Sequence, residues 1–275
     1  MKNKTLKRII ALILALVTLG TVSAVSYSAG CLDEYYAELE KQPTTEYRLW
    51  INTAGRYGAS TCTISVQLTG DKGTTDWINI GKVGNTFTQD PNLMIYTMFE
   101  AKNVGRVSEI NLKVNGSDDW YVNQIQLNYN GIEQHFYGGR WVREGNIVTL
   151  KESDNVYRIE LQTSSSKNSG TDQDVTVTLK SKDGKTTVSQ NLTKIHPANN
   201  AFERGDHVEF YVYLDADELG EVEIRLGDSW LYMAAASWKL EKITIEQMNT
   251  GGEGVYYEDT RNEWIKMGSG FSVKF

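Results

Sequence analysis

The sequence is poor in the residues from which catalytic and metal centres are commonly built. Its 275 residues include only two cysteines and three histidines, and His135, His196 and His207 lack metal-ligand spacing. Two cysteines cannot form a disulfide framework, and Cys62 is expected to be a small buried residue of a strand. The sequence contains neither a Gly-x-Ser-x-Gly elbow nor a Cys–His pairing that would indicate a nucleophile. We therefore predict that the protein is not an enzyme.

Proline and positive charge are also scarce. The chain has three prolines and 40% hydrophobic residues, which indicates a globular protein and not a disordered one. Four of its 28 Lys and Arg residues lie within the first eight positions. Without them, 24 positive side chains face 35 negative ones, a net charge of −11. This balance argues against nucleic acid as a partner.

A long apolar run occurs only at the N-terminus. Residues 1–24 combine basic residues, the apolar stretch Ile9–Leu19 and a small-residue cleavage site, which is the pattern of a signal peptide. The stretch is too short to span a bilayer as a mature helix, so we predict a secreted protein. An alternative cut before Cys31 resembles a lipoprotein signal and would anchor the protein to the outer cell surface through that residue. Ser28 stands where such signals usually carry Leu, which favours simple secretion.

The rest of the chain contains a repeated unit. Tyr47 and Tyr157 each begin a Tyr-Arg segment that alternates between apolar and polar residues, and the two positions are separated by 110 residues. Further pairs follow in the same order: Thr61 with Thr171, Gly105 with Gly220, Trp120 with Trp238 and Trp141 with Trp264. A collinear series of this kind predicts a tandem duplication of a domain-sized unit.

Both units have the composition of an all-β fold. Their segments are short, alternating and rich in β-branched residues, and Gly, Asn and Asp mark the turns between them. We predict two tandem β-sandwiches after the signal peptide. The predicted divisions are an N-terminal tether over 25–44, a first domain over 45–143, a linker over 144–155 and a second domain over 156–275. Within the tether, residues 32–42 could form a short helix.

Motifs in the second unit resemble the PLAT (LH2) domain, an eight-stranded β-sandwich. In order they are Gly170-Thr-Asp172, Phe202-Glu-Arg-Gly205-Asp206, Leu219-Gly220, and Trp238 followed by Ile243. Lys180-Ser-Lys-Asp-Gly-Lys-Thr186 and Asn262-Glu-Trp-Ile265 add similarity to the C-terminal PLAT domain of clostridial alpha-toxin phospholipases C, whereas the first unit matches more loosely. The resemblance implies a module without catalysis of its own that faces a membrane lipid surface or a membrane-associated protein, often with the help of calcium.

The resemblance also implies calcium ligands in loops at one end of each sandwich. In the second unit they are Asn168, the carbonyl of Gly170, Asp172, Asn199 and Asn200, and in the first unit Asp118 and Asp119. Ca²⁺ takes about 6–8 oxygen ligands. Asn168 and Ala236 stand where Asp is expected, and Gly58 and Ser60 occupy the first loop of the first unit. Each unit thus has about half of the set, which implies weak Ca²⁺ binding or, alternatively, turn residues that cap their own backbone.

An apolar string in the second unit is the predicted membrane contact. It comprises Trp230, Leu231, Tyr232 and Met233, and the segment from Gly220 to Trp238 is three residues longer than its counterpart in the first unit. Trp and Tyr suit the bilayer interface, although the same residues would also fit a strand that alternates into the core. Two other functions stay open, namely carbohydrate binding by exposed aromatic rings and protein docking. Against the former, the matched positions of Trp120, Trp141, Trp238 and Trp264 favour the core.

Overall fold

The computed structural model describes residues 34–53, 62–82, 94–196, 201–229, 237–249 and 254–275. They form two antiparallel β-sandwiches in tandem. The first contains β1 (Thr44–Thr53), β2 (Thr63–Gly70), β3 (Gly73–Thr74), β4 (Ile78–Lys82), β5 (Met94–Lys102), β6 (Val107–Asn115), β7 (Trp120–Tyr129), β8 (Ile132–Val142) and β9 (Val148–Lys151). The second contains β10 (Val156–Thr163), β11 (Val175–Ser181), β12 (Thr187–Asn191), β13 (His207–Tyr213), β14 (Leu219–Leu226), β15 (Ser237–Gln247), β16 (Tyr256–Lys266) and β17 (Gly270–Lys274), with a one-turn helix at Leu192–Ile195.

The strand order repeats from one sandwich to the other. In the first domain, the sheet β5-β1-β7-β8 faces the sheet β3-β2-β6-β9, and β4 also pairs with β2. In the second domain, β13-β10-β15-β16 faces β12-β11-β14-β17. Each strand of the second domain's first sheet occupies the place of one in β5-β1-β7-β8, which confirms the predicted tandem β-sandwiches. At β2 and β11 the alignment of the two repeats differs by one residue from the predicted one. The strand pairings match Cys62 with Gln173, which are 111 residues apart and not the predicted 110.

Strict alternation of side chains produces the two cores. Tyr47, Leu49 and Ile51 of β1 point inward and are buried, while the residues between them point outward. The equivalent strand β10 buries Tyr157 and its alternating neighbours in the same way. Because side chains on a strand alternate between its faces, this pattern gives each domain its own hydrophobic core.

A hydrogen bond deep in each core repeats as well. The indole Nε1 of Trp120 donates to Oγ1 of Thr53 at 2.7 Å, and that of Trp238 donates to Thr163 at 2.9 Å. All four residues are buried. A buried N–H needs an acceptor, so the tryptophan and the threonine at the end of the first strand belong together in both copies.

The other matched pair of tryptophans does not lie in the core, contrary to the sequence-based expectation. Trp120 pairs with Val142 across β7 and β8, and Trp238 pairs with Ile265 across β15 and β16. Partners directly opposite each other share a face, so Val142 and Ile265 point inward, and the tryptophans that precede them, Trp141 and Trp264, point outward. Trp141 is half-buried beside the ring of Tyr121, and 48% of Trp264 is exposed.

The segment before the first domain is helical over residues 34–40, so it forms the short helix and not an extended tether. The Asn103 side chain holds it, since Nδ2 donates to the carbonyls of Glu40 and Gln42, each at 3.1 Å. Lys72 Nζ donates to the Glu40 carbonyl at the same distance. Within the described residues, no helix is long and apolar enough to cross a membrane.

The predicted linker over 144–155 contributes a strand to the first domain. Its residues Val148–Lys151 form β9, which pairs with β6 and inserts Leu150 into the core, leaving 152–155 as the connection. The two domains also touch beyond this connection. The rings of Tyr137 on β8 and Tyr211 on β13 stack with centroids 4.9 Å apart, and Asn249 Nδ2 donates to the His135 carbonyl on β8 at 3.4 Å. A strand of four residues with two inward positions is too short to stand out from a loop in the sequence.

Candidate functional site

The predicted ligands lie in the loops at one end of each sandwich, which we call the loop end. In the second domain, β10, β14 and β16 finish at this end, and β11, β15 and β17 begin there. The described parts of its loops are 164–174, 201–206, 227–229 and 267–269. The backbone between these strands therefore brings together segments that are far apart in the sequence.

In the first of these loops, 164–174, polar groups form hydrogen bonds that fix the conformation of the loop. Ser164 N donates to the Lys239 carbonyl and Lys239 N donates to the Ser169 carbonyl, both at 2.9 Å. The Ser169 hydroxyl donates to the Ser164 carbonyl, and Thr171 N donates to the Phe202 carbonyl at 3.1 Å. Ser164, Ser169 and Thr171 are all buried. The loop is thus held against the end of the sandwich by hydrogen bonds, and its buried hydroxyls stabilise the conformation of the loop itself.

The motif Phe202-Glu-Arg-Gly205-Asp206 also has a structural role. Phe202 is buried with a positive φ of 72°, and its ring packs edge-on against Trp238 at 5.3 Å. Asp206 Oδ2 accepts from Glu203 N at 2.9 Å, and the Asp206 carbonyl accepts from Thr163 N at 2.8 Å. The carboxylate of this motif therefore closes a turn beside the core tryptophan.

Gly170 lies where the first loop approaches this turn. A Cβ at Gly170 would lie 3.0 Å from Arg204 N and 3.1 Å from Glu203 Cα. These distances are tighter than most Cβ contacts in proteins, so a larger residue here would push the two backbones apart by a few tenths of an ångström. The Gly-Thr-Asp motif thus fixes how the two loops meet.

The predicted calcium ligands of the second domain have mixed outcomes. Asn168 adopts a left-handed conformation with φ of 62°, and its side chain and that of Asp172 are exposed to solvent. Together with the Gly170 carbonyl they supply one full negative charge. Asn199 and Asn200 lie outside the described residues. Asp172 is thus the one carboxylate among these predicted ligands, and a Ca²⁺ ion held by so little charge would be bound weakly.

In the first domain, one of the two predicted carboxylates is already engaged. Asp119 Oδ2 lies 3.3 Å from Arg143 Nε, and both side chains are partly exposed. Asp118 is half-buried at the adjacent position. Across the described ranges, no group of three or more His, Cys, Asp and Glu side chains is arranged to hold a metal ion. Ca²⁺ binding in this domain would have to compete with the arginine for Asp119.

A pair of hydrogen bonds, which we call the clip, connects the loop before β7 to the residue that precedes β2. The Cys62 thiol is buried and not in a disulfide; Sγ accepts from Asp118 N at 3.1 Å and donates to the Asp118 carbonyl at 3.0 Å. In the second domain Gln173 does the same for Ser229, with distances of 3.0 Å from Ser229 N and 2.9 Å to its carbonyl. Both residues are buried, so the clip gives each loop a fixed base.

The predicted membrane contacts Trp230, Leu231, Tyr232 and Met233 lie outside the described residues, as does Cys31. Two exposed apolar side chains at the loop end were not predicted as contacts. Trp264 and Met267 are 48% and 36% exposed, and Met267 Sδ lies 3.6 Å from Gln173 Nε2, which also binds Ser229. The sequence contains one indication of this exposure. Trp264 precedes Ile265 near the end of β16, and neighbouring residues of a strand point to opposite faces, so a buried Ile265 requires an outward Trp264.

Comparison with known proteins gives a family match over most of the chain. The family model described as PLAT/LH2 domain matches residues 47–151 and 157–269. No curated protein matches the sequence.

Among solved structures, an alpha toxin from Clostridium absonum is 22% identical with a TM-score of 0.37, and the match covers 44% of this chain and 31% of that one. A coral 8R-lipoxygenase whose structure is described as showing calcium activation through a C2-like domain is 23% identical, with a TM-score of 0.34 and coverage of 38% and 16%. A calcium-dependent 11R-lipoxygenase is 24% identical, with a TM-score of 0.32 and coverage of 39% and 17%. The matched region is thus less than a third of each of those chains.

Proposed function

The chain belongs to the PLAT/LH2 domain family through both of its sandwiches, and on that premise we propose that it is a non-catalytic protein that attaches to a membrane lipid surface through the loop end of its second domain. PLAT domains are modules that bind lipid membranes or other proteins. Export is part of the proposal, because the N-terminal pattern of residues 1–24 would carry the protein out of the cell, with Cys31 as the alternative anchor.

The observation that carries the proposal is the exposed apolar pair at this end. Trp264 lies opposite Lys239 near the end of β16, and Met267 contacts Gln173, which binds Ser229, the residue that precedes Trp230, Leu231, Tyr232 and Met233 in the sequence. Apolar side chains grouped at one tip of a molecule gain free energy when a partner covers them. A tryptophan at a bilayer surface buries its ring and leaves its N–H at the hydrated boundary.

Apolar contact also suits the charge of the protein. With a net charge of −11 after loss of the signal peptide, the chain is repelled by anionic lipids unless a cation bridges them. Attachment through a small apolar tip does not need attraction between opposite charges. Calcium has a supporting role in the proposal, held weakly by Asp172 with Asn168 and the Gly170 carbonyl.

The test is co-sedimentation with vesicles of phosphatidylcholine and of phosphatidylcholine mixed with phosphatidylserine, in calcium and in chelator. Full burial of a large apolar side chain is worth about 1.5–3 kcal/mol, so the exposed half of Trp264 is worth about 1 kcal/mol, or roughly fivefold in binding. We expect Trp264→Ala to weaken binding by about this factor and Met267→Ala to add to the loss.

Tyr256→Ala is the matched control, because Tyr256 is 62% exposed on the same strand β16 but at its opposite end. It should sediment like the unchanged protein, and all three variants should keep their melting temperature. Equal binding by Trp264→Ala and the unchanged protein would reject this contact surface. No sedimentation of the unchanged protein under any of the conditions would favour protein docking.

A further inference from the structure

The outward face of the sheet β5-β1-β7-β8 in the first domain carries aromatic rings and amides. Trp50 on β1 and Tyr96 on β5 are opposite each other, with ring centroids 5.1 Å apart. Tyr96 and its neighbour Met98 are 50% and 52% exposed. On the other side of β1, Trp50 pairs with Gln126 of β7, and Arg48 pairs with Asn128. These residues form one continuous surface on the side of the sheet away from the core.

The equivalent face of the second domain has a different composition and lies beside the contact between Tyr211 and Tyr137 of the first domain. The positions of Trp50, Tyr96 and Asn128 are occupied there by Glu160, Glu209 and Glu246. These three carboxylates surround Arg158, which lies 3.0 Å from Glu160 and 3.5 Å from Glu209 and also pairs with Glu246. The same fold therefore carries an ion-paired face in one domain and a face of rings and amides in the other, so the strand geometry does not require the rings.

A cleft adjoins this face of rings and amides in the first domain, which we call the ring surface. The cleft lies between the sheet and the helical segment 34–40 and has a volume of about 720 Å³. Arg48, Met98 and Asn128 line both the cleft and the ring surface, and Tyr35 and Tyr36 supply further rings from the helix. Sites for small ligands are typically concave, of about 300–1,000 Å³, and mix aromatic walls with a few polar groups.

We propose that this surface and cleft bind a neutral saccharide chain. A sugar ring presents apolar C–H groups on its faces and hydroxyls around its edge, so it stacks on an aromatic side chain and hydrogen-bonds beside it. Gln126 suits those hydroxyls, because an amide both donates and accepts hydrogen bonds, as a hydroxyl does. The Nδ2 of Asn128 already donates to Glu133 at 3.0 Å, so this residue would contribute through its amide oxygen. Trp50 and Tyr96 provide the stacking surface.

The charges around the surface favour a neutral ligand. Glu46 pairs with Arg48 at 2.6 Å, and Glu100 lines the same cleft, so the surface has no excess of positive charge for phosphate or sulfate groups. Trp50 and Tyr96 belong to the first domain, whereas the proposed membrane contact belongs to the second. This site is therefore separate from the membrane contact at the loop end of the second domain.

Affinity electrophoresis tests the inference on the chain without its predicted signal peptide. The probes are soluble xylan, mixed-linkage β-glucan, galactomannan and starch in the gel, with insoluble cellulose and chitin in parallel pull-downs. We expect at least one of them to retain the protein, and Trp50→Ala and Tyr96→Ala each to weaken retention by roughly tenfold. Trp50→Phe, which keeps a ring, should recover most of the binding.

Tyr256→Ala again serves as the control, because it removes an exposed ring from the other domain. The inference is overturned if no polysaccharide retains the protein, if Trp50→Ala binds like the unchanged chain, or if Tyr256→Ala weakens retention equally. Vesicle binding by Trp50→Ala gives a separate readout, since it should equal that of the unchanged protein. Loss of vesicle binding in that variant would make the ring surface a membrane contact and would also overturn the saccharide assignment.

Discussion

Replacement of Thr163 by valine tests the repeated hydrogen bond in the cores. Valine has nearly the shape of threonine but cannot accept the Trp238 Nε1–H, which lies 2.9 Å from the threonine oxygen. Both residues are fully buried, so no water replaces the lost acceptor. Leaving a buried donor without a partner costs about 1–3 kcal/mol, and the added methyl group returns at most about 0.8 kcal/mol. We expect a net loss of about 1–2 kcal/mol in the free energy of unfolding.

Urea unfolding and calorimetry measure this loss. A change of 1 kcal/mol lowers the melting temperature of a domain of about 100 residues by roughly 4–8 °C, but that of a unit twice as large by about 2–4 °C. The size of the fall therefore also reports whether the second domain unfolds alone or together with the first. Thr53→Val is the matched variant, because Thr53 accepts from Trp120 at 2.7 Å in the first domain.

A double-mutant cycle with Trp238→Phe separates the hydrogen bond from side-chain volume. The phenylalanine variant removes the N–H, so adding Thr163→Val to it should cost less than the same change in the unchanged protein. The indole N–H of Trp238 should also exchange slowly with solvent deuterium. Equal costs of Thr163→Val in both backgrounds, or a fully stable Thr163→Val, would refute the reasoning.

Three further predictions concern the clip, the phenols and calcium. The buried Cys62 thiol should react with a thiol reagent only after urea unfolds the first domain, and fast labelling of the folded protein would contradict the clip. Burial raises the pKa of Tyr129 to about 12 from the ordinary 10.0. The folded state therefore keeps a proton that the unfolded chain releases, and stability should fall as the pH rises from 10 to 12; Tyr129→Phe should show less of that fall when unfolding is followed by circular dichroism. Calorimetry should detect Ca²⁺ binding at roughly millimolar concentrations, reduced by Asp172→Ala and Asp118→Ala, and the absence of heat there would exclude the ion.

Periodicity and repetition in the sequence were enough to identify the fold. The alternation from Tyr47 and from Tyr157 predicted the two central strands, because every second residue of a half-buried strand must be apolar. The matched positions of Trp120 and Trp238 in the repeat correctly assigned both residues to the core. These features are local, or repeat at a constant separation, and they can be found without knowing which strands become neighbours.

The functional surfaces depend on features that alternation does not contain. Trp264 was expected in the core and lies on the surface, because the expectation rested on its matched position in the repeat and not on the face of β16 that it occupies. A shift of one residue in a strand moves every side chain to the opposite face. Likewise, the resemblance to PLAT domains implied Asp119 as a calcium ligand, whereas only folding placed Arg143 beside it.

The sequence by itself therefore determined the fold class, the duplication and most of the core, since these follow from the order of apolar and polar residues along each strand. Only the tertiary structure decided which exposed groups act together. Trp50, Tyr96 and Gln126 are separated by 46 and 30 residues in the chain, yet they are neighbours on one sheet face. Antiparallel pairing brings them together, and that pairing is selected by the packing of the whole sandwich and not by the residues of any one segment.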